Sequence, residues 1–143
     1  MGRALGIDLG ERRIGLALSD ATRTLASPHS VVQRSKAHAH DHAAILRVVV
    51  EDEVDTIVVG LPLSLNGDLG HHAARRRAEV EELRARVPEG VDVVVHDERL
   101  TTVTAQAALI EARMRREARK RVVDKVAAAV MLQSWLDSQH LRT

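Results

Sequence analysis

Three acidic residues stand where a predicted strand ends or a predicted helix begins. Asp8 follows an apolar run, Glu98 follows a β-branched run, and Asp124 opens the last predicted helix. Carboxylates that converge repel one another unless a cation neutralises them, and a set of oxygen ligands suits Mg²⁺ or Mn²⁺. Two such ions can activate water and stabilise the leaving oxygen when a phosphodiester bond is cleaved. The three acids together predict a metal site, whereas each acid alone is more typical of a turn, a solvated surface or a helix N-terminus.

Basic residues accompany two of these acids. Arg99 directly follows Glu98, where its guanidinium could bind a phosphate or form an ion pair with Asp97 or Asp124. A run of basic residues leads into Asp124 and consists of Arg113, Arg115, Arg116, Arg119, Lys120 and Arg121. Such runs of charge are usually solvated helix faces, but positive charge beside a metal-bound phosphate would also hold a nucleic-acid backbone. Because this run precedes a candidate catalytic acid, we predict that Arg99, Arg115, Arg116, Arg119 and Lys120 contact a nucleic-acid substrate.

The composition excludes several other classes of function. The chain has 143 residues, which predicts a single domain over residues 1–143, and its formal net charge of +1 indicates no polyanionic or membrane partner by itself. The absence of cysteine excludes disulfides, thiolate zinc sites and cysteine nucleophiles, and the single aromatic residue, Trp135, excludes a base-stacking platform. Because no apolar segment has membrane-spanning length and no signal region opens the sequence, we expect a cytoplasmic location and no membrane partner. The sequence leaves the oligomeric state open.

Strands and helices alternate along most of the sequence. Apolar runs on both sides of the polar break at residues 9–13 predict an antiparallel hairpin, and residues 30–32 predict a third strand. Residues 56–60 and 91–96 are β-branched and predict two further strands, the first buried on both faces. Helices are predicted over residues 39–53, 70–87, 103–110 and 122–138. Their predicted buried faces are Ala39, Ala43, Leu46 and Val50 in the first, Ala73, Val80, Leu83 and Val87 in the second, and Ala127, Ala128, Met131, Leu132 and Trp135 in the last.

This order predicts a mixed sheet with helices on both faces, because strands that alternate with helices pair in parallel while the hairpin is antiparallel. Sites in such sheets gather at the carboxyl ends of the parallel strands, where Asp8, Gly60 and Asp97 lie. We expect Gly6 and Gly10 to leave the Asp8 carboxylate unscreened. Gly60 could admit a substrate backbone, although a packing glycine at a strand end is nearly as common.

A histidine-rich segment offers a different metal chemistry. His38-Ala39-His40-Asp41-His42 resembles the His-x-His-x-Asp-His zinc motif of metallo-β-lactamase-fold nucleases, but the spacer before the aspartate is missing. We therefore predict a solvated helix start, with His38 and His42 on one face of that helix.

The motifs taken together resemble the YqgF family. Its opening motif is matched by Gly6-Ile7-Asp8-Leu9-Gly10 with Arg13-Ile14-Gly15-Leu16-Ala17. Its later motifs are matched in order by Val59-Gly60-Leu61-Pro62, Asp97-Glu98-Arg99-Leu100-Thr101-Thr102, and Asp124-Lys125 with Ala127-Ala128. The resemblance covers essentially the whole chain. The chain departs from the family at two positions that are usually aromatic. His96 stands before the Asp-Glu-Arg segment, and the second long helix lacks its usual aromatic residue. These departures concern packing and substrate preference.

Proteins of this family are RNase H-like and are described as Holliday-junction resolvases or pre-16S rRNA nucleases. The resemblance implies an α/β, RNase H-like mixed sheet of about five strands with helices on both faces. It also implies that Asp8, Glu98 and Asp124 are the catalytic acids and bind Mg²⁺ or Mn²⁺. Arg13 and Gly60 lie in the matched motifs and are predicted to contact the substrate.

The expected activity is hydrolysis of a phosphodiester bond that leaves a 5′-phosphate and a 3′-hydroxyl. The resemblance suggests maturation of the pre-16S rRNA 5′ end, so that structured RNA is the expected partner, and cleavage of branched DNA is the alternative. Gly-Ile-Asp-Leu-Gly also opens ATPases of the actin and Hsp70 type, but 143 residues leave no room for the second domain of those folds. A nucleic-acid-binding adaptor without activity is a further alternative, because inactive relatives can keep the same motifs.

Overall fold

The pattern of apolar alternation and polar breaks produces three helices and five strands in the part of the chain that the structure describes. This computed structural model describes residues 2–61, 70–97, 110 and 122–141, and it does not describe the side chains of residues 70 and 122–125. The predicted helix over residues 103–110 lies outside the described residues except at its last position. The elements are β1 (Arg3–Leu9), β2 (Arg13–Ser19), β3 (Ala26–Gln33), α1 (His38–Glu51), β4 (Val54–Leu61), α2 (Gly70–Arg86), β5 (Asp92–Asp97) and α3 (Val122–Leu141).

The five described strands form one mixed sheet in the order β3-β2-β1-β4-β5. β1 pairs antiparallel with β2 and parallel with β4, while β2–β3 is antiparallel and β4–β5 is parallel. The predicted mixed sheet is confirmed. β3 is longer than the three-residue strand predicted from the sequence, because it pairs along the length of β2. It tolerates Pro28 since an edge strand has one row of backbone groups without a ladder partner.

Apolar side chains alternate along β1 and build one core on each face of the sheet. Leu5 and Ile7 belong to a buried cluster shared with α1 and α2. Ala4 belongs to a second buried cluster, which is shared with α3 and includes Leu132. Helices on both faces are therefore confirmed. The prediction that residues 56–60 are buried on both faces is also confirmed, because Ile57 and Val58 are both fully buried and belong to different clusters.

The buried face predicted for the first helix is wrong. Ala39, Ala43 and Val50 are exposed, and only Leu46 packs partly against the core. The helix instead buries Asp41, His42, Ile45, Val48 and Val49. His42 pairs with Glu79 on α2, and Asp41 accepts a hydrogen bond from Ser35 N (2.9 Å) and lies 3.9 Å from Arg34. The helix is therefore turned by about one residue from the orientation that apolar spacing alone predicts.

The other two helices are closer to expectation. In α2, Ala73, Val80 and Leu83 are buried as predicted, while Val87 follows the end of the helix and packs partly against the core. In α3, Ala128, Met131 and Leu132 are buried, Trp135 is partly buried, and Ala127 is exposed, contrary to prediction. None of the described helices is both long enough and apolar enough to cross a membrane.

α3 runs antiparallel to β1. At its C-terminal end, His140 Nε2 donates to the Arg23 carbonyl (2.9 Å), in the turn between β2 and β3. Arg23 Nε in turn donates to the carbonyl of Gly2, just before β1 begins (2.9 Å). Near the middle of α3, Leu132 lies against Gly6. The helix therefore starts at the edge of the sheet where β1 ends, and we call this edge the carboxyl edge.

Candidate active site

Asp8 lies directly opposite a glycine on each of the two neighbouring strands. Its cross-strand partners are Gly15 on β2 and Gly60 on β4. Directly opposite residues have the nearest side chains in a sheet, at about 4.5–5.5 Å between Cβ atoms. The half-buried Asp8 carboxylate is thus bordered by bare backbone on both sides. Because side chains alternate between faces, Asp8 lies on the same face as Gly6, which is the face covered by α3.

The glycines expected to unscreen Asp8 have other roles. A Cβ at Gly6 would lie 2.7 Å from Leu132 Cβ, and a Cβ at Gly10 would lie 2.5 Å from the Arg13 carbonyl oxygen. Helix α3 already fills the space beside Gly6, and the backbone of the hairpin fills the space beside Gly10. Both glycines are therefore required for close packing of the chain. The glycines directly opposite Asp8 are Gly15 and Gly60, and they could have been identified only by pairing the strands in the right register.

The carboxyl edge also carries Asp97, the residue before the second predicted acid, and the backbone of residue 124, the position of the third. β5 ends at Asp97, which pairs with Leu61 one residue past the Gly60 level, and Glu98 is the next residue in the sequence. Residue 124 lies in the first turn of α3, the end of that helix that reaches the carboxyl edge. Glu98 itself and the Asp124 side chain lie outside the described residues. The convergence of the three carboxylates therefore stays a prediction.

The predicted substrate contacts divide in the same way. Arg13 is an exposed residue at the start of β2, and Gly60 pairs with Asp8. The remaining predicted contacts, which are Arg99, Arg115, Arg116, Arg119 and Lys120, lie outside the described residues.

His96 joins the end of β5 to α3. It pairs with Gly60, so it lies in the same cross-strand row as Asp8, and its Nε2 is 3.0 Å from the hydroxyl oxygen of Ser134. Burial lowers the pKa of His96, and the neighbouring Asp97 charge opposes this only in part. A neutral imidazole therefore holds α3 against β5 just before the predicted acid Glu98. In the sequence, His96 is visible only as a departure from an aromatic position, because Ser134 is 38 residues away.

A buried ionic network lies behind the hairpin turn. Arg34 Nε donates to the Gly10 carbonyl (3.0 Å), and its terminal nitrogens bind both carboxylate oxygens of Glu79 on α2 at 2.7 and 2.9 Å. Glu79 is fully buried. Burial alone would raise the pKa of Glu79, but hydrogen bonds from His42 and Arg34 and the charge of Arg34 hold it far below its usual range. Because Gly10 N also donates to the Asp8 carbonyl (3.1 Å), the network anchors the turn that follows Asp8.

The histidine-rich segment reaches into this network, and the prediction of a solvated helix start holds for Ala39 and His40, which are exposed, but is wrong for Asp41 and His42. His42 and Asp41 are fully buried. Arg86 lies 2.6 Å from His42 Nδ1, and since a guanidinium can only donate, Nδ1 accepts and Nε2 carries the proton that is donated to Glu79 at 2.9 Å. The expected shared face is confirmed by His38 and His42, whose rings stack with centroids 5.8 Å apart. His42 is a structural side chain that links α1 to α2.

The donor chemistry of Asp8 fits a hard divalent cation. A half-buried carboxylate at a strand end, opposite a glycine on each neighbouring strand, offers the hard oxygen ligands that such an ion prefers. Within the described part of the chain, no three histidine or acidic side chains are grouped closely enough to hold a metal. Of the predicted ligand set, Asp8 is the residue whose side chain the structure describes.

A five-stranded mixed sheet of this order, with helices on both faces, is the RNase H-like fold. Thermus thermophilus RuvC in complex with a Holliday junction has this fold, with a TM-score of 0.65, 17% identity, and coverage of 98% of this chain and 96% of that one. A fowlpox virus resolvase in complex with Holliday junction DNA matches with a TM-score of 0.57, 9% identity, and coverage of 96% and 98%. The predicted fold class is confirmed.

The family model described as "RuvX: Holliday junction resolvase" matches residues 2–138, and the chain belongs to this family. A relative from Roseiflexus sp. (strain RS-1) is 43% identical over 138 residues, which are 96% of each chain. A relative from Halalkalibacterium halodurans is 43% identical over 141 residues, covering 98% of this chain and 99% of its own. Both relatives carry the name "Putative pre-16S rRNA nuclease". The resemblance seen in the sequence and the expected enzyme class, a nuclease, are thereby confirmed.

Proposed function

We propose that this nuclease hydrolyses phosphodiester bonds of structured RNA and matures the 5′ end of pre-16S rRNA in a metal-dependent reaction. The observation that carries the proposal is the placement of Asp8 between Gly15 and Gly60 at the carboxyl edge. The names of the relatives that match over nearly the whole chain support the substrate. We propose the cytoplasm as its location, where such precursors are processed.

Asp8, Glu98 and Asp124 are the residues that would hold Mg²⁺ or Mn²⁺. When bound, ions of this kind neutralise charge at the phosphate and lower the pKa of water. The contribution of the chain is positional. The hairpin anchors Asp8, the bond between His96 and Ser134 fixes α3 beside β5, and Gly15 and Gly60 put no side chain directly opposite the Asp8 carboxylate.

Resolution of branched DNA is the second candidate function. The family description and the fold shared with two junction-bound resolvases favour it. The two candidates use the same acids and differ in the shape of nucleic acid that the protein accepts.

The test is a cleavage panel with matched variants. Wild type, Asp8→Asn and Asp92→Asn would be incubated with a 16S precursor RNA that carries its 5′ leader and with a four-way DNA junction, each with Mg²⁺, Mn²⁺ or chelator. Asp92 is an exposed residue that opens β5 at the opposite edge, so its variant controls for the loss of one carboxylate. We expect cleavage of the RNA to a 5′-phosphate product by wild type and Asp92→Asn, and none by Asp8→Asn or with chelator.

Three outcomes would overturn the proposal. Cleavage of the junction without cleavage of the RNA would assign the second candidate function. Binding of either nucleic acid without cleavage would make the protein an adaptor. Cleavage that survives in Asp8→Asn would exclude Asp8 from the catalytic acids.

A further inference from the structure

The hairpin turn and the beginning of α2 form an exposed basic surface at the carboxyl edge. We call it the α2 surface and define it by Arg12, His71, His72 and Arg75, all of which are exposed. Arg76 is excluded from it because its side chain is mostly buried and pairs with Glu79 (3.1 Å). Within residues 10–13 and 70–78, Glu11 is the only acidic residue.

Glu11 shows that this surface can hold an oxyanion. Its Oε1 lies 2.8 Å from His72 Nδ1 and 3.9 Å from a terminal nitrogen of Arg75, and the same Arg75 nitrogen lies 3.1 Å from His72 Nδ1, so the three charged or polar groups form one cluster. All three side chains are at least half exposed, with 62% for Glu11, 50% for His72 and 65% for Arg75. Ion pairs this exposed contribute little to stability. A phosphate, which offers more oxygens to the same donors, can therefore replace the Glu11 carboxylate at low cost.

The α2 surface is held in a defined position relative to Asp8. Arg34 ties the Gly10 carbonyl to Glu79 on α2, and Gly10 N donates to the Asp8 carbonyl. Asp8 lies on the α3 face of the sheet and α2 covers the other face. A phosphate backbone that passes Asp8 and continues over the hairpin turn would thus reach the α2 surface.

We propose that the α2 surface binds the phosphate backbone of the nucleic acid whose cleavage is proposed above, and that Glu11 competes with phosphate for His72 and Arg75. The inference rests on the proposed function for the identity of the ligand. It adds a second region of substrate binding, on the opposite face of the sheet from the predicted metal site. It also predicts that removing an acid will strengthen binding.

Binding would be measured by fluorescence anisotropy with the full chain, a labelled 16S precursor RNA and a labelled four-way DNA junction, in chelator so that no cleavage occurs. The variants are Glu11→Gln, Arg75→Ala and Arg12→Ala/Arg75→Ala. The matched control is Arg47→Ala, which removes one exposed arginine from the second half of α1, towards the opposite edge. Thermal melts would verify that each variant is folded.

We expect Glu11→Gln to tighten binding several-fold and the double variant to weaken it about tenfold. The slope of log affinity against log salt should fall by about 0.7–0.9 for each phosphate that the variant no longer neutralises. Arg47→Ala should match wild type. Unchanged or weaker binding by Glu11→Gln, or equal affinities for Arg12→Ala/Arg75→Ala and Arg47→Ala, would overturn the proposal.

The two proposals can fail separately. If wild type binds nucleic acid but does not cleave it, the proposed nuclease function fails, while the affinities of the variants still decide the role of the α2 surface. If wild type cleaves the RNA and all variants bind it equally, only the α2 surface fails. If wild type binds neither probe, both proposals are wrong.

Discussion

The carboxylate of Asp8 combines a polar function with a position inside a sheet. Cross-strand glycines remove the two side chains that would normally cover it, and the strand backbone keeps its place in the hydrogen-bonded ladder. A charge at such a place is costly where water is scarce, and other carboxylates nearby add repulsion. If Glu98 and Asp124 converge on it, the metal-free protein carries an electrostatic penalty that a bound cation would relieve.

Asp8→Asn should therefore separate catalysis from stability. The substitution removes one charge and nearly conserves shape, so the metal-free variant should melt no lower than wild type. Mg²⁺ or Mn²⁺ at a hundredfold excess over its dissociation constant should stabilise wild type by about 2.7 kcal/mol and the variant much less. Thermal melts with chelator and with a metal titration measure both quantities.

Asp92→Asn is the control for this comparison and should respond to metal as wild type does. Equal metal-induced shifts in Asp8→Asn and wild type would show that Asp8 is not a ligand. A large loss of metal-free stability in Asp8→Asn would instead favour a structural aspartate that caps the hairpin.

At the scale of elements, the contact between β1 and α3 sets where the first turn of α3 lies. Gly6 lets the helix approach so closely that a Cβ there would meet Leu132 Cβ at 2.7 Å and the Ala128 carbonyl oxygen at 3.2 Å. Neither atom belongs to the far end of a flexible side chain, so the whole helix would have to move. Residue 124 lies one turn before Ala128 and would move with it.

Gly6→Ala should accordingly harm the site more than its effect on stability suggests. Overpacking of this kind costs about 1–3 kcal/mol, and the displaced helix should give a smaller metal-induced rise in melting temperature than wild type shows. Leu132→Ala is the control, because it opens a cavity at the same contact, costs about 2–5 kcal/mol and does not push the helix. A normal metal response in Gly6→Ala would show that α3 adapts without disturbing the acids.

The order of elements was predictable because it depends on local patterns. The hairpin, the β-branched strands and the apolar spacing of Val80 and Leu83 are all visible within a few residues of sequence. The buried face of α1 was not predictable in this way. Its position depends on His42 and Asp41, whose burial is possible only because Glu79 and Arg34 come close in three dimensions. The spacing of apolar residues gives no information about hydrogen-bonding partners that lie far apart in the chain.

The residues of the candidate site likewise divide into those that the local sequence predicts and those that only the folded chain brings together. Asp8 could be proposed from its place in the first strand, but the two glycines that border it come from the pairing of three strands. His96 and Ser134 carry no local signal of their contact. The α2 surface was missed because each of its charged residues, taken alone, is typical of a solvated helix.

At the scale of the whole molecule, the network centred on Glu79 joins α1, α2, β3 and the hairpin turn. The folded-state pKa of Glu79 lies far below the ordinary value of 4.5. A depressed carboxylate pKa means that the stabilisation is complete above about pH 5 and is lost as the pH falls further, because the unfolded chain then binds the proton first. The polar network thus contributes to stability near neutral pH and ceases to do so in acid.

Glu79→Gln should destabilise the protein by about 3 kcal/mol at pH 7, because it leaves the buried Arg34 with only the more distant Asp41 carboxylate, at 3.9 Å, among the described residues as a counter-charge. The difference in unfolding free energy between wild type and variant should shrink as the pH falls from 5 towards 3. Denaturant unfolding at several pH values measures it. Glu81→Gln, two residues along the same helix and 63% exposed, should cost less than about 1 kcal/mol at any pH. A difference for Glu79→Gln that does not depend on pH would exclude the ionised carboxylate as the source of the stabilisation.

The predicted basic cluster before α3 also acts at the scale of the whole molecule, through its charge. Simultaneous reversal of Arg115, Arg116 and Arg119 to glutamate should weaken nucleic-acid binding and reduce the salt slope by about one unit for each phosphate left without its cation. Folding should change little, because these positions lie outside the predicted apolar stripes. Anisotropy titrations at several salt concentrations measure the slope, and an unchanged slope would make the cluster a solvated face.

Because α3 runs antiparallel to β1, the C-terminal end of this helix is a suitable position for a fluorescent label. Leu141 is 88% exposed at the edge farthest from Asp8, and thirteen residues of helix separate it from Ala128, a span of about 20 Å. Since the sequence has no cysteine, Leu141→Cys would introduce a single thiol for maleimide chemistry. A dye placed there would travel with the helix that starts beside the predicted acids, yet stay clear of any nucleic acid bound at the carboxyl edge. Energy transfer between this dye and a labelled substrate could then report binding and release without altering the predicted catalytic residues.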